Sequence, residues 1–250
     1  MKKIIVFFGI WTLVQTGYAQ KAGNVEISFD HLFNGEQVVF DKSYTNVHGE
    51  DVKFTTINYF ISNISLQRRD GSFYTIPQDS SYFIVRHTPE ADLRKITLKD
   101  IPEGEYNGIR FVIGVDSLRN TMSIEHRTGN LDVAAGAKGM YWVWNSGYIF
   151  FKLEGTSTAS TEKMKNRFTY HIGGFGGYRT KTINALRERK MEFLSVKVSP
   201  DLAGQLKITV NLDKFFHGHY DLRISEKPSV MWGIEAEKIA DNYREAFVIK

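Results

Sequence analysis

With no cysteine and seven histidines in 250 residues, metal or acid–base chemistry in this chain has to rest on imidazole, carboxylate, thioether or backbone groups. His171 lies in Phe168-Thr169-Tyr170-His171-Ile172-Gly173-Gly174. In this alternating run it shares a strand face with Thr169, and the glycines beyond it let another segment approach closely. His31 follows the alternating run Val25-Glu26-Ile27-Ser28-Phe29, just before an Asn34-Gly35 turn signal. His171 is a candidate ligand for a first-row metal ion, with a hydrogen-bonded structural histidine as its bland reading, whereas His31 alone carries almost no information. His217 and His219 flank Gly218, where a turn is expected rather than a chelating strand. His48, His87 and His126 have polar, turn-like neighbours and are expected to be solvated. No H-E-x-x-H, G-x-S-x-G or paired-acid motif occurs, so hydrolase chemistry has no support. The Gly173–Gly177 run lacks the strand-to-helix setting of a phosphate loop.

The other notable stretch is Met140-Tyr141-Trp142-Val143-Trp144-Asn145-Ser146-Gly147-Tyr148-Ile149-Phe150-Phe151, with two of the four tryptophans. In a strand, Met140, Trp142 and Trp144 face one way and Tyr141 and Val143 the other. Burying such a row is worth several kcal/mol at roughly 25 cal/mol per Å², so core packing alone explains it. A platform for sugars and an indole pair beside a metal are the functional alternatives.

Short alternating or apolar runs separated by Gly, Asp, Asn and Pro make up most of the chain. Strands are expected at Val38–Phe40, Phe54–Ile57, Tyr59–Leu66, Tyr82–Arg86, Gly108–Gly114, Met140–Leu153, Arg167–Ile172, Met191–Val198 and Leu206–Leu212. Arg69–Ser72 reads as a hairpin turn. The pattern predicts an all-β fold, an antiparallel β-sandwich or barrel-like body of about ten strands. One short helix is expected near the C-terminus, over Ile234–Tyr243. Ser117 to Lys138 reads as a long loop leading into the tryptophan strand. At the N-terminus, Lys2 and Lys3, the apolar Ile4–Val14 and the small residues Gly17 and Ala19 read as a signal peptide over residues 1–19. Cleavage before Gln20 leaves one β domain, 20–250, in the periplasm or outside the cell. The formal charge of +4 falls to +2 without Lys2 and Lys3, a balance that gives no argument for nucleic acid, and no membrane insertion is expected.

Five short motifs, in order, carry a resemblance: Asn58–Ile64 (NYFISNI), Gly114–Asn120 (GVDSLRN), the run opening at Met140, Thr169–Gly174 (TYHIGG) and Ile239–Tyr243 (IADNY). From about Val25 to Ile249 the chain resembles the MbnP-like copper-binding proteins, secreted β-rich proteins of Gram-negative bacteria. The resemblance implies a binding protein rather than an enzyme, with no catalytic residues. Imidazoles would hold one copper ion, for homeostasis or delivery, and a nearby tryptophan would be oxidised to kynurenine by a di-haem peroxidase-like partner. It places Trp142 and Trp144 at the W-x-W positions, His171 at the histidine before the double glycine, and His31 near a first-strand histidine. Asp116 and Asn120, in the loop before the tryptophans, are candidate groups to orient a ligating imidazole. Many relatives carry a histidine where this chain has Val230, and a histidine-bearing tail where it ends Phe247–Lys250. Met231 offers a thioether in partial replacement. A non-metal binding module for a glycan or surface partner, and a family member that has lost its metal, are the competing expectations.

Overall fold

The computed structural model describes residues 21–144, 147–162, 165–177 and 179–249; the expected signal peptide lies outside them. Nine longer strands carry the fold: β1 (Ala22–Phe33), β2 (Asp51–Arg68), β3 (Tyr82–Thr88), β4 (Lys95–Pro102), β5 (Gly104–Ile113), β6 (Gly147–Thr156), β7 (Arg167–Gly173), β8 (Arg187–Val198) and β9 (Gly204–Asn211). Seven shorter strands bring the described total to sixteen. Three short helices join them, α1 (Ser117–Asn120), α2 (Asp213–Phe216) and α3 (Ile234–Arg244). The C-terminal helix is the one the sequence predicts, and no described helix is long and apolar enough to cross a membrane.

Two sheets face each other. In the smaller, β1 lies between β9 and β4, and Phe247–Val248 adds to β9. In the larger, the order is β8, β5, β2, β6, β7 and Ser229–Val230, with β3 also paired to β2. The expected antiparallel arrangement needs one correction. β1 and β9 run parallel over eight paired positions, from Val25 opposite Gly204 to Leu32 opposite Asn211, and β7 runs parallel to Ser229–Val230. Parallel neighbours need a crossover rather than a hairpin. Alternation in a sequence reveals which face a residue takes, and it carries no information on strand direction.

The interior forms where alternate residues of β1 meet the large sheet. Val25, Ile27, Phe29, His31 and Phe33 are all buried. Phe29 packs edge-on to Tyr59, Tyr59 stacks on Phe151, and Phe151 stacks on Tyr243 of α3, with ring centroids 5.9, 5.0 and 5.1 Å apart. Burying side chains of this size contributes about 2–3 kcal/mol each before chain entropy is charged against it. β2 is buried on both faces from Ile57 to Ser62, so something must cover its outer side. The segment expected as an open loop does so. Arg86 donates to the carbonyls of Gly136 and Lys138, and the Tyr148 hydroxyl donates to Leu131.

Four of the expected strands differ in detail. Phe54–Ile57 and Tyr59–Leu66 fuse into the single strand β2, in which Asn63, at φ 51°, absorbs a register shift against β5. Val38–Phe40 lies outside any strand. Met140–Leu153 breaks into Tyr141–Trp142, a turn at Val143 and Trp144, and then β6.

Candidate functional site

β1 carries His31 into the sandwich with no solvent exposure. Its Nε2 lies 3.0 Å from the Tyr59 hydroxyl and its Nδ1 lies 2.9 Å from Nδ1 of His87. The ring of Phe40 covers His87, with centroids 4.6 Å apart. One proton between the two Nδ1 atoms makes this a hydrogen bond, so one ring donates and the other accepts. Burial holds His31 well below the usual imidazole range, and the neighbouring His87 and Arg94 push the same way. Burial and then Arg94 bring His87 down to about 4, against a smaller upward pull from Asp92. Both rings are therefore neutral at pH 7, with lone pairs to give. Two nitrogens sharing a first-row ion, each bonded at about 2.0–2.1 Å, must lie within about 4 Å of one another. The His31–His87 pair meets that limit, and Tyr59 fixes the far nitrogen of His31 as an outer partner should. The expectation that His87 is solvated is overturned, since it is only 6% exposed. His48 too has a largely covered side chain, against the same expectation, whereas His126 is exposed.

His171 is somewhere else. Register aligns His171 with Lys152, Asn58 and Arg86 on one face of the large sheet, and Tyr170 with Leu153, Ile57 and His87 on the other. Since His31 touches His87, the two imidazoles expected to share an ion point to opposite sides of one sheet. The structure brings His31 to His87 instead. His171 Nε2 is 2.7 Å from Glu154 Oε1, with Lys152 3.6 Å from the same oxygen and Thr56 donating to the other. Burial pushes the Glu154 carboxyl up, but His171, Lys152 and Thr56 outweigh it and hold it at about 2. Glu154 thus occupies the imidazole edge nearest it with a permanent negative charge.

Trp142 packs against the end of β7, past His171. A Cβ placed on Gly173, two residues beyond His171 on β7, would come within 2.8 Å of the Trp142 ring. This is the close approach that the glycines after His171 predicted. Trp144 lies 5.3 Å from Trp142 between ring centroids and Trp232 lies 6.3 Å away, the latter at 74°. Trp142 is buried, and its indole nitrogen has no hydrogen-bond partner. Trp144 is 64% exposed, with Met231 and Trp232 also at the surface. A cavity of about 230 Å³ opens here, walled by Trp142, Trp232, Phe175, Thr180, Thr182 and Asn120.

Asp116 and Asn120 spend their polar atoms on the loop. Asp116 caps α1 through the Arg119 amide and accepts from Asn63 and Tyr82. Asn120 donates to the carbonyls of Val115 and Asp116 and accepts from the Tyr148 amide. These are loop-building contacts rather than contacts to an imidazole. Val230, buried, pairs with Tyr170 at the edge of the large sheet. Among the described residues, no three histidine, aspartate or glutamate side chains converge to hold a metal. The residues present offer two imidazoles.

A mixed two-sheet sandwich, closed by a C-terminal helix and holding a buried imidazole pair, defines the class of protein. A family model, MbnP, matches residues 22–232, and the chain belongs to that family. Among solved structures, MbnP from Methylosinus trichosporium superposes with a TM-score of 0.59 at 16% identity, covering 86% of this chain and 82% of that one. At that identity the likeness shows the shared fold. No curated protein matched.

Proposed function

We propose that this protein is an exported, non-enzymatic copper-binding protein of the MbnP family, and that His31 and His87 hold one copper ion in the sandwich interior for homeostasis or delivery. The observation that carries this reading is the 2.9 Å approach of two buried Nδ1 atoms, in rings that burial keeps neutral. Imidazole suits copper in either common oxidation state, and copper would supply binding here, with no turnover. Titration of the purified protein with Cu(I) and Cu(II) against a competing chelator should show equimolar binding that His31→Ala and His87→Ala each abolish. Undiminished binding by a folded double variant would remove this pair from the site. No binding in either oxidation state would leave a family member that has lost its metal.

The oxidation expected from the resemblance concerns the tryptophan pair rather than the imidazole pair. Trp144 is the indole of the pair that the surface presents to a di-haem peroxidase-like partner, and Trp142 lies beneath it. Mass analysis of the peptide Gly139–Lys152 from the native host should show a modified tryptophan; an unmodified mass throughout would set that step aside.

One observation favours a second reading, a neutral sugar bound at the tryptophan cavity. Indole faces standing at 74°, with threonine hydroxyls and, among the described residues, no ionisable side chain in the wall, suit a saccharide ring. A panel of neutral mono- and disaccharides should then quench tryptophan emission saturably, and Trp232→Ala should remove the response. A flat response across the panel excludes this reading.

A further inference from the structure

The two rings of the buried imidazole pair are held unequally. His31 lies on β1 opposite Val210 of β9, has no solvent exposure, and is tied at Nε2 to the Tyr59 hydroxyl. Its carbonyl also accepts from the Val38 amide. His87 lies on β3 opposite Ile57, and its ring meets His31 and Phe40 with centroids 5.0 and 4.6 Å away. Phe40, unlike the other groups around the pair, is only half-buried.

As it stands, the pair is closed. Its Nδ1 atoms are 2.9 Å apart. An ion bonded to both at about 2.0–2.1 Å needs them about 3.3 Å apart at a tetrahedral angle, or about 4.1 Å apart in line. One ring therefore has to give way by about 0.4–1.2 Å. The close packing of an interior leaves His31 no room to do so. His87 can move only if the ring of Phe40 moves too.

The chain that carries Phe40 is suited to moving. It runs from Val38 to Ser43, between the short strands Glu36–Gln37 and Tyr44–Thr45. Val38 is bonded to the His31 carbonyl, and the Val39 amide donates to the Tyr44 hydroxyl at 2.8 Å. Beyond those anchors there is only a turn at Phe40–Asp41, in which Asp41 takes φ 67°, a left-handed conformation uncommon outside glycine. Val39, Asp41, Lys42 and Ser43 are all exposed. A segment with so few buried contacts opens locally at little cost.

We propose that Phe40 is the gate of the imidazole pair: an ion enters from the His87 side, Phe40 swings outward, and His87 is the moving ligand while His31 stays fixed. The identity of the ion rests on the copper reading; the gate itself rests on the packing around His87.

The test follows chemical modification of the metal-free protein. Diethylpyrocarbonate acylates neutral imidazoles, and peptide mass analysis separates His87 from His31, with the exposed His126 as an internal standard. In the unaltered protein His87 is expected to react before His31. Phe40→Ala should speed the reaction of His87 about 5–10-fold relative to His126, and Phe40→Leu, which keeps an apolar cover, about 2–3-fold. Should Phe40→Ala loosen the whole fold, His31 and His87 would accelerate together, and the order of reaction in the unaltered protein with the Phe40→Leu rate decides. Stopped-flow transfer of Cu(I) from a chelator gives the second readout. Association and dissociation should rise together in Phe40→Ala, with the Kd held within about 3-fold. Gated modification in a protein that binds no copper would remove the copper reading and keep the gate. His31 reacting first, or a His87 rate within about 2-fold of the unaltered protein in both variants, would overturn the gate whatever copper does.

Discussion

Replacing His31 by alanine is expected to cost about 3–5 kcal/mol of stability, and to weaken copper binding more than about 100-fold if the imidazole pair is the site. Two terms add. The truncation leaves a cavity between β1 and β2, and it strands two buried polar groups, the Tyr59 hydroxyl and Nδ1 of His87, which now meet His31. A large-to-alanine change in a core costs about 2–5 kcal/mol, and each unpaired buried polar group about 1–3. The sum is capped by relaxation, because the cavity lets the freed groups move. His31→Phe separates the terms. It refills the volume and leaves the polar groups unpaired, so about 2–3 kcal/mol is expected. Tyr59→Phe keeps both nitrogens and removes the outer partner, which should weaken copper about 10–100-fold while leaving stoichiometry intact. Urea unfolding at pH 7.5 with matched chelator titrations checks the series. A loss below about 1 kcal/mol for His31→Ala would mean that the buried pair does not exist as described.

The His31 half of this pair was legible in the sequence, and the His87 half was missed for a narrow reason. Val25–Phe29 alternates clearly, and one further step along the period puts His31 on the buried face with Phe29. The strand expected at Tyr82–Arg86 stops one residue short of His87. Extended one residue further, the same alternation sets His87 inward with Val85. The polar neighbours Arg86 and Thr88 hid it, although on a strand such neighbours belong to the opposite face. His171 shows the complementary limit. That it shares a face with Thr169 follows from the period, but which side of the sheet meets the second layer does not. Parity becomes an address only once the sheets are stacked. The tryptophan row, expected as one strand, failed at the turn that follows Trp142, and the two indoles still meet because the turn folds Trp144 back. Tyr59 stood inside one of the motifs that carry the family resemblance, and its position opposite His31 required two sheets that no local pattern joins.

The same pair should make the protein acid-labile in a defined window. An unfolded histidine titrates near 6.5. In the folded chain, burial and Arg94 keep His87 neutral down to about 4, and burial likewise keeps His31 neutral well below the usual imidazole range. Between those limits the unfolded chain takes up protons that the folded chain refuses, so unfolding is favoured as pH falls below about 6.5 and not as it rises. Each histidine can contribute up to about 1.4 kcal/mol per pH unit, and the two together up to about 2.7, less whatever water reaches His87. Glu154 acts in the next window down. Held at about 2 when folded, it contributes stability above its ordinary range near 4.5 that is lost as pH drops through the folded value. Denaturant unfolding across pH 7.5 to 4.5 should therefore show a steep fall beginning near 6.5, with His87→Phe reducing the slope by about half. Copper should follow a different curve. Nitrogens that refuse protons keep their lone pairs, so the proposed site should retain copper at pH 5, where an exposed imidazole site has begun to lose it to protons. A flat stability profile between pH 7 and 5 would show that the buried rings accept protons freely, and with it the case for a neutral, ligand-ready pair would fall.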